Sequence, residues 1–266
     1  MYNPAMQNES PLNAAKETGV EALPSHERGN EEALPAGPEG QKGSEVLARI
    51  RELCKKAQED MEADPKSADK VALRVSGEAT GLIRALNANG VPAPYIAQYS
   101  DRMALMIARC AAAYSLETWQ WKSGMALLED ASRFAVDDEA KATIEAAKAA
   151  VKNKEKLYEG LTQIESAPSL ATFNGLGAML YGKTDVDPET GSYLATHYFV
   201  FAFLPVYPIR RYKVLPVVEE TKTFGIKHTA SKGYIFLGKA PLRTFDVWHR
   251  FIGLGVLALL IWAIAS

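Results

Sequence analysis

Residues 190–209 read TGSYLATHYFVFAFLPVYPI, twenty residues without a formal charge. By length the run can cross a bilayer as a helix or lie in a sheet as a strand, and that choice sets the fold. Three features favour the sheet. Aromatic and β-branched residues prefer strands. Pro205 and Pro208 stand in the last third of the run, where a helix would lose backbone hydrogen bonds. The preceding Asp187-Pro188-Glu189-Thr190-Gly191 reads as a turn, which makes the run the second arm of a hairpin whose first arm is 178–186. The expectation is a strand, buried on both faces or lying against lipid.

Outward from that run, residues 168–246 read as a small antiparallel β module. Further strands are expected at Tyr212–Val218, Lys222–Lys227 and Tyr234–Leu237, the last entered through a hairpin loop at Thr229–Gly233. Residues 168–250 carry ten basic and six acidic side chains, so this part is net positive within a chain of net charge −2. Tyr207–Lys213 interleaves rings with bases. At a membrane surface that pattern places rings at the interface and Arg210, Arg211 and Lys213 against anionic headgroups. The plainer alternative is a strand that ends in solvated charges.

Beyond the module, Phe251–Ala265 reads FIGLGVLALLIWAIA, again without charge. At 1.5 Å per residue this spans about 23 Å, short of a hydrocarbon core near 30 Å. Extending it to 247–266 gives twenty residues. Trp248 and Trp262 then fall at opposite interfaces and Arg250 snorkels. A buried core helix is the alternative, but a helix packed on a surface needs a polar stripe, and there is none. The expectation is a transmembrane anchor at 247–266, with the basic flank holding the preceding domains in the cytoplasm. A second span at 191–209 would force the first 190 residues across the membrane without a signal, so a single pass is expected.

Upstream, residues 44–167 read as a helical domain. Val46, Leu47, Ile50, Leu53, Cys54 and Ala57 form one helical stripe behind a Ser44 N-cap. Asp64-Pro65 ends that helix. Later helices are expected at about 68–86, around 96–110, at 119–134 and from Asp137 onward. Short loops make them antiparallel neighbours. Ala112, Gly124, Leu128 and Ala131 echo the small residues at close helix contacts in a tetratricopeptide pair, so the domain reads as a helical bundle or a degenerate copy of that repeat. Residues 1–43 hold seven acidic and three basic side chains and five prolines. They read as a disordered acidic tail, unable to bury enough apolar surface to offset its ordering. No apolar stretch opens the chain, so no secretory leader is expected.

Chemistry-bearing motifs are few. A pI near 6.1 argues against a nucleic-acid binder. Two cysteines, Cys54 and Cys110, are too few for a disulfide framework or a cysteine zinc site. Gly177–Thr184, GAMLYGKT, matches the P-loop pattern at every specified position. That motif works by leading a strand through a loop into a helix N-terminus that cradles phosphate. Here Pro188 and Gly191 turn the chain instead, so no bound nucleotide is expected. His26, His197, His228 and His249 lack metal-ligand spacing, and His197 is expected as a buried, hydrogen-bonded side chain. Asp185, Asp187 and Glu189 crowd a solvated turn. No residue set is assigned to catalysis, a cofactor or a metal.

From Tyr181 to Tyr212 the pattern Tyr-Gly-Lys…Asp-Pro-Glu-Thr-Gly-Ser-Tyr…Phe-x-Phe-Leu-Pro-x-x-Pro-x-x-Arg-Tyr resembles a segment of uncharacterised, mostly bacterial membrane-associated proteins. Some of those carry helical-repeat or chaperone J-type regions upstream. The phenylalanine- and proline-rich portion is also similar to the end of some small zinc-ribbon proteins, whose zinc cysteines are missing here. No His-Pro-Asp tripeptide of a J domain is present, so co-chaperone activity is not carried over. The resemblance implies location more than activity.

These readings combine into an α+β protein with a helical domain, a small β module and a C-terminal anchor. The expected role is non-catalytic: a scaffold or adaptor that recruits a protein partner to the membrane through the helical domain. The rival is a lipid-acting enzyme with its site in the β module.

Overall fold

The computed structural model describes residues 38–218 and 232–265. The expected acidic tail lies outside them up to residue 37, as do the expected strand Lys222–Lys227, most of the loop that follows it, His26 and His228. The chain divides into two compact units, with the boundary after Leu157.

The helical unit holds α1 (Pro38–Ala63), α2 (Ala68–Ala88), α3 (Ala93–Thr118), α4 (Trp121–Ser132) and α5 (Asp138–Leu157). In α1 the side chains of Leu47, Ile50, Cys54, Ala57 and Met61 are buried, the stripe its spacing dictates. The helix starts earlier than expected, and Ser44 is not its cap. Ser44 sits inside α1, its hydroxyl donating to the Gln41 carbonyl at 2.7 Å. A proline at the helix start supplies the fixed φ instead. Asp64 then accepts the Lys66 amide at 3.2 Å and turns the chain through a short 3₁₀ segment into α2.

The central helix is α3, which packs against each of the other four. Met103, Ala104, Ile107, Ala108, Cys110 and Ala111 are all wholly buried, and the alanines let neighbouring backbones approach. The closest approach is to α4, where a Cβ on Gly124 would run into the Ser115 hydroxyl of α3. Trp119, expected inside the fourth helix, instead ends α3 in the left-handed region at φ 59°. Two buried polar residues of α3 fix the loop into α5. Ser100 donates to the Phe134 carbonyl at 2.6 Å, and Asp101 Oδ1 accepts the Val136 and Asp137 amides at 2.6 and 3.2 Å.

The second unit is a five-stranded antiparallel meander in the order β1 (Thr172–Phe173), β2 (Leu176–Thr184), β3 (Tyr193–Phe201), β4 (Leu204–Val218), β5 (Lys232–Ala240). The run at 190–209 is strand, but it is not one strand. It folds on itself at Ala202-Phe203, both at positive φ (47° and 64°), and supplies β3 and the start of β4. A two-residue turn of this hand matches the twist of its strands. It ordinarily takes Asn-Gly, so an Ala-Phe pair carries no turn signal in the sequence. Ala195, Tyr212 and Val214 form the sheet's small core, with Ile164, Leu180, Tyr193, Tyr234 and Phe236 packed on them.

After β5, one helix, α6 (Thr244–Ala265), ends the described chain. Among the described residues no helix is long and apolar enough to cross a membrane, so the structure does not show the spanning helix expected at 247–266.

Candidate functional site

A buried polar cluster seats α6 on the sheet. Asp246 is the sole carboxylate of α6 and lies in its first turn, where an acid favours the helix dipole. It is buried, and it accepts the Tyr198 hydroxyl at 3.0 Å, the Thr196 hydroxyl at 3.3 Å and the Arg243 amide at 3.2 Å. The last bond closes the reciprocal half of a capping box. Burial, with the Asp246 carboxylate beside it, pushes the Tyr198 hydroxyl up to about 12, so it stays a donor at any physiological pH. The His249 ring lies 5.4 Å from that of Tyr198.

One turn on, Arg250 donates to the carbonyls of Pro208 and Ile209 at 2.9 and 2.8 Å and sits 5.5 Å over the Tyr207 ring. This replaces the expected snorkelling. β5 pairs with β4 only from Arg211 onward, so the first half of β4 has a free edge on that side. Pro205 and Pro208 fall in that half, as edge prolines do, and Arg250 meets two of its carbonyls. At Gly253 the helix comes so close that a Cβ would run into the Val206 carbonyl oxygen.

Arg210, Arg211 and Lys213 do not form one patch. Alternation along β4 sends Arg210 and Arg211 to opposite faces. Arg211 is 7% exposed and donates to Thr184 Oγ1 at 2.9 Å and Asp185 Oδ2 at 2.8 Å. A guanidinium buried and paired in this way is not available to a lipid headgroup. Arg210 is exposed and Lys213 partly so. Asp185 also accepts from Arg243 at 3.1 Å, and the two guanidiniums, Arg243 first, hold its carboxyl below the usual range. The turn read as merely solvated is therefore tied at Asp185 to β4 and to the α6 approach. Its other expected feature holds, since Asp187 Oδ1 accepts the Glu189 amide at 2.9 Å.

The GAMLYGKT stretch lies within β2, and the chain passes from it into a turn, not a helix. It lacks the strand-to-helix loop on which phosphate cradling depends. Lys183 sits 5.0 Å over the Tyr193 ring. His197 is buried as expected but not hydrogen-bonded. Both ring nitrogens are without a partner of normal geometry, and burial pushes its pKa down against the opposing pull of the Ser169 backbone. Among the described residues no group of three or more His, Cys, Asp or Glu side chains is placed to hold a metal ion.

The sequence reading missed Asp246, Thr196, Tyr198 and Gly253. Only Asp246 carries a signal: a lone acid in the first turn of a helix that continues into an uncharged run. No family model, curated protein or solved structure matches the chain.

Proposed function

We propose that this chain is a membrane-anchored adaptor, tethered through residues 247–266, whose helical unit recruits a protein partner to the membrane surface. One observation carries the reading. An uncharged run, Phe251–Ala265, continues without a break from helical turns that are locked onto the sheet by buried Asp246 and by Arg250. Such a seat gives a tether a fixed direction, which a helix needing no orientation would not require. Basic residues ahead of the run favour a cytoplasmic side for both units. The close approach of α3 and α4 at Gly124 supports a tetratricopeptide-like pair as the partner surface. The resemblance of Tyr181–Tyr212 to membrane-associated proteins points the same way.

Deleting 247–266 is expected to move the protein from the carbonate-resistant pellet to the supernatant. Affinity purification in detergent, with and without residues 38–157, is expected to lose its protein partner with the helical unit. A truncated chain that still resists carbonate overturns the tether. A partner retained without residues 38–157 overturns the recruiting role of the helical unit.

A further inference from the structure

In a meander, alternate hairpins emerge at the same end. Here the β1–β2 turn (Asn174-Gly175) and the β3–β4 turn (Ala202-Phe203) meet. The Phe203 amide donates to the Gly175 carbonyl at 3.1 Å, and Tyr181 donates to the Phe203 carbonyl at 2.6 Å. A Cβ on Gly175 would stand 3.1 Å from the Ala202 Cα, so the two turns are stacked backbone to backbone. This double tip is built, and five large apolar side chains face solvent on it, Phe173 (79% exposed), Leu176, Phe201, Phe203 (62%) and Leu204 (67%), beside exposed Thr172 and Asn174. Phe203 is held in the left-handed region, which a large side chain rarely adopts. Glycine or asparagine would make the same turn without that cost, so the turn geometry does not account for a phenylalanine there.

The direction of α6 says what covers the tip. Asp246 sits on Thr196 and Tyr198, Arg250 on Pro208 and Ile209, and Gly253 on Val206. Successive turns of the helix thus step down β4 toward Leu204. The uncharged remainder of α6 leaves the sheet at the end where the double tip stands. Trp248, exposed and five residues before Gly253, lies about 7 Å behind that exit along the helix, the depth at which interfacial rings collect. Arg210 and Lys213 stand six and nine residues up β4 from Leu204, roughly 20–30 Å away at 3.3 Å per residue.

We infer that the double hairpin tip, Phe173, Leu176, Phe201, Phe203 and Leu204, inserts into the acyl-chain boundary of the bilayer beside the exit of α6. The inference rests on the tether proposed above and adds a second, non-helical contact. It makes the apolar tip, not the bases of β4, the leading edge of the module. Membrane contact of this kind depends on apolar burial and is insensitive to salt.

The test uses the full chain reconstituted in phosphatidylcholine vesicles. An environment-sensitive fluorophore is placed on Phe203→Cys, on Leu204→Cys, or on Val186→Cys in the β2–β3 turn at the opposite end of the sheet. The first two labels are expected to shift to the blue and to be quenched by lipids bearing a nitroxide just below the headgroup. The Val186 label is expected to stay in water. Neither result should change with added salt. Labels at 203 and 204 as wet as that at 186, on chains that co-float with the vesicles, overturn the tip insertion and leave the tether standing. Chains that do not co-float overturn both. Shielding that follows the protein-to-lipid ratio and not the nitroxide assigns the tip to a second copy and overturns the proposal.

Discussion

Arg211 shows how much one side chain's surroundings decide. Its guanidinium is buried against Thr184 and Asp185, while Arg210 beside it on β4 is exposed. Arg211→Gln takes a buried guanidinium away from Thr184 and from the exposed Asp185 carboxylate, and is expected to lower the unfolding midpoint. Arg210→Gln should lie within about 0.5 kcal/mol of the parent. Chemical denaturation of the two variants checks the contrast. Two adjacent bases look alike in a sequence, because the partner that separates them, Asp185, is fixed only once β2 pairs with β3. Acid should bear on the same sheet twice. Asp185 is held below its ordinary 3.8 by Arg243 and Arg211, so what it contributes is present above that value and lost as pH falls through its folded one. His197 is held below its ordinary 6.5 by burial, so its contribution is present above 6.5 and lost as pH falls through its own folded value. In His197→Leu, near-ultraviolet dichroism followed from pH 7 downward should lose the upper of these two steps and keep the lower. In the helical unit, burial pushes the Cys54 thiol up to about 11 and that of Cys110 up to about 12. Both are expected to resist a disulfide reagent at pH 8 until denaturant is added, since the thiolate is the reactive form.

Among the elements, α6 is the one whose seating can be undone without touching either core. Asp246→Ala leaves the Tyr198 and Thr196 hydroxyls buried without their acceptor, and unsatisfied groups of this kind cost about 1–3 kcal/mol. Gly253→Ala is the sharper probe. Alanine improves intrinsic helix propensity by about 1 kcal/mol, yet here its methyl group meets the Val206 carbonyl. Both variants are expected to speed tryptic cleavage after Arg250 while leaving the strand dichroism unchanged; unaltered cleavage would mean that the seat does not hold the helix. Rings and β-branched residues made β2, β3, β5 and the second half of β4 legible, while β1 went unread; the Asp187–Gly191 turn was legible from its Asp and Gly. The β3–β4 turn was hidden because Ala202-Phe203 carries none of the residues that mark a turn. The seat was hidden because its parts, Thr196, Tyr198, Pro208 and Asp246, are joined by pairing across about 50 residues of chain. In the helical domain, stripe and loop sufficed to place α1 to α5, but some ends moved by several residues: α1 starts at Pro38, ahead of the expected Ser44 cap, and α3 runs on to Thr118.

At the scale of the whole molecule, two cores are separate in sequence, one within residues 46–151 and one within residues 164–236. Residues 38–157 are therefore expected to purify as a folded helical fragment with a single cooperative thermal transition; a fragment with helical dichroism but no transition would show that its packing needs the rest of the chain. The order of the sheet has a consequence in time. Each described strand pairs with the next described one in sequence, and among the described residues no crossover intervenes. The β1–β2 and β3–β4 hairpins each close over two residues, so the entropy lost before their first pairing rewards it is small. Refolding from denaturant is expected to be fast for an all-antiparallel sheet, nearer milliseconds than seconds. In the shared stretch Leu204–Val218, residues from Arg211 onward are gripped from both sides while the earlier ones have a single strand neighbour. Substitutions at Val214 should then slow the recovery of structure, and those at Val206 should mainly hasten its loss.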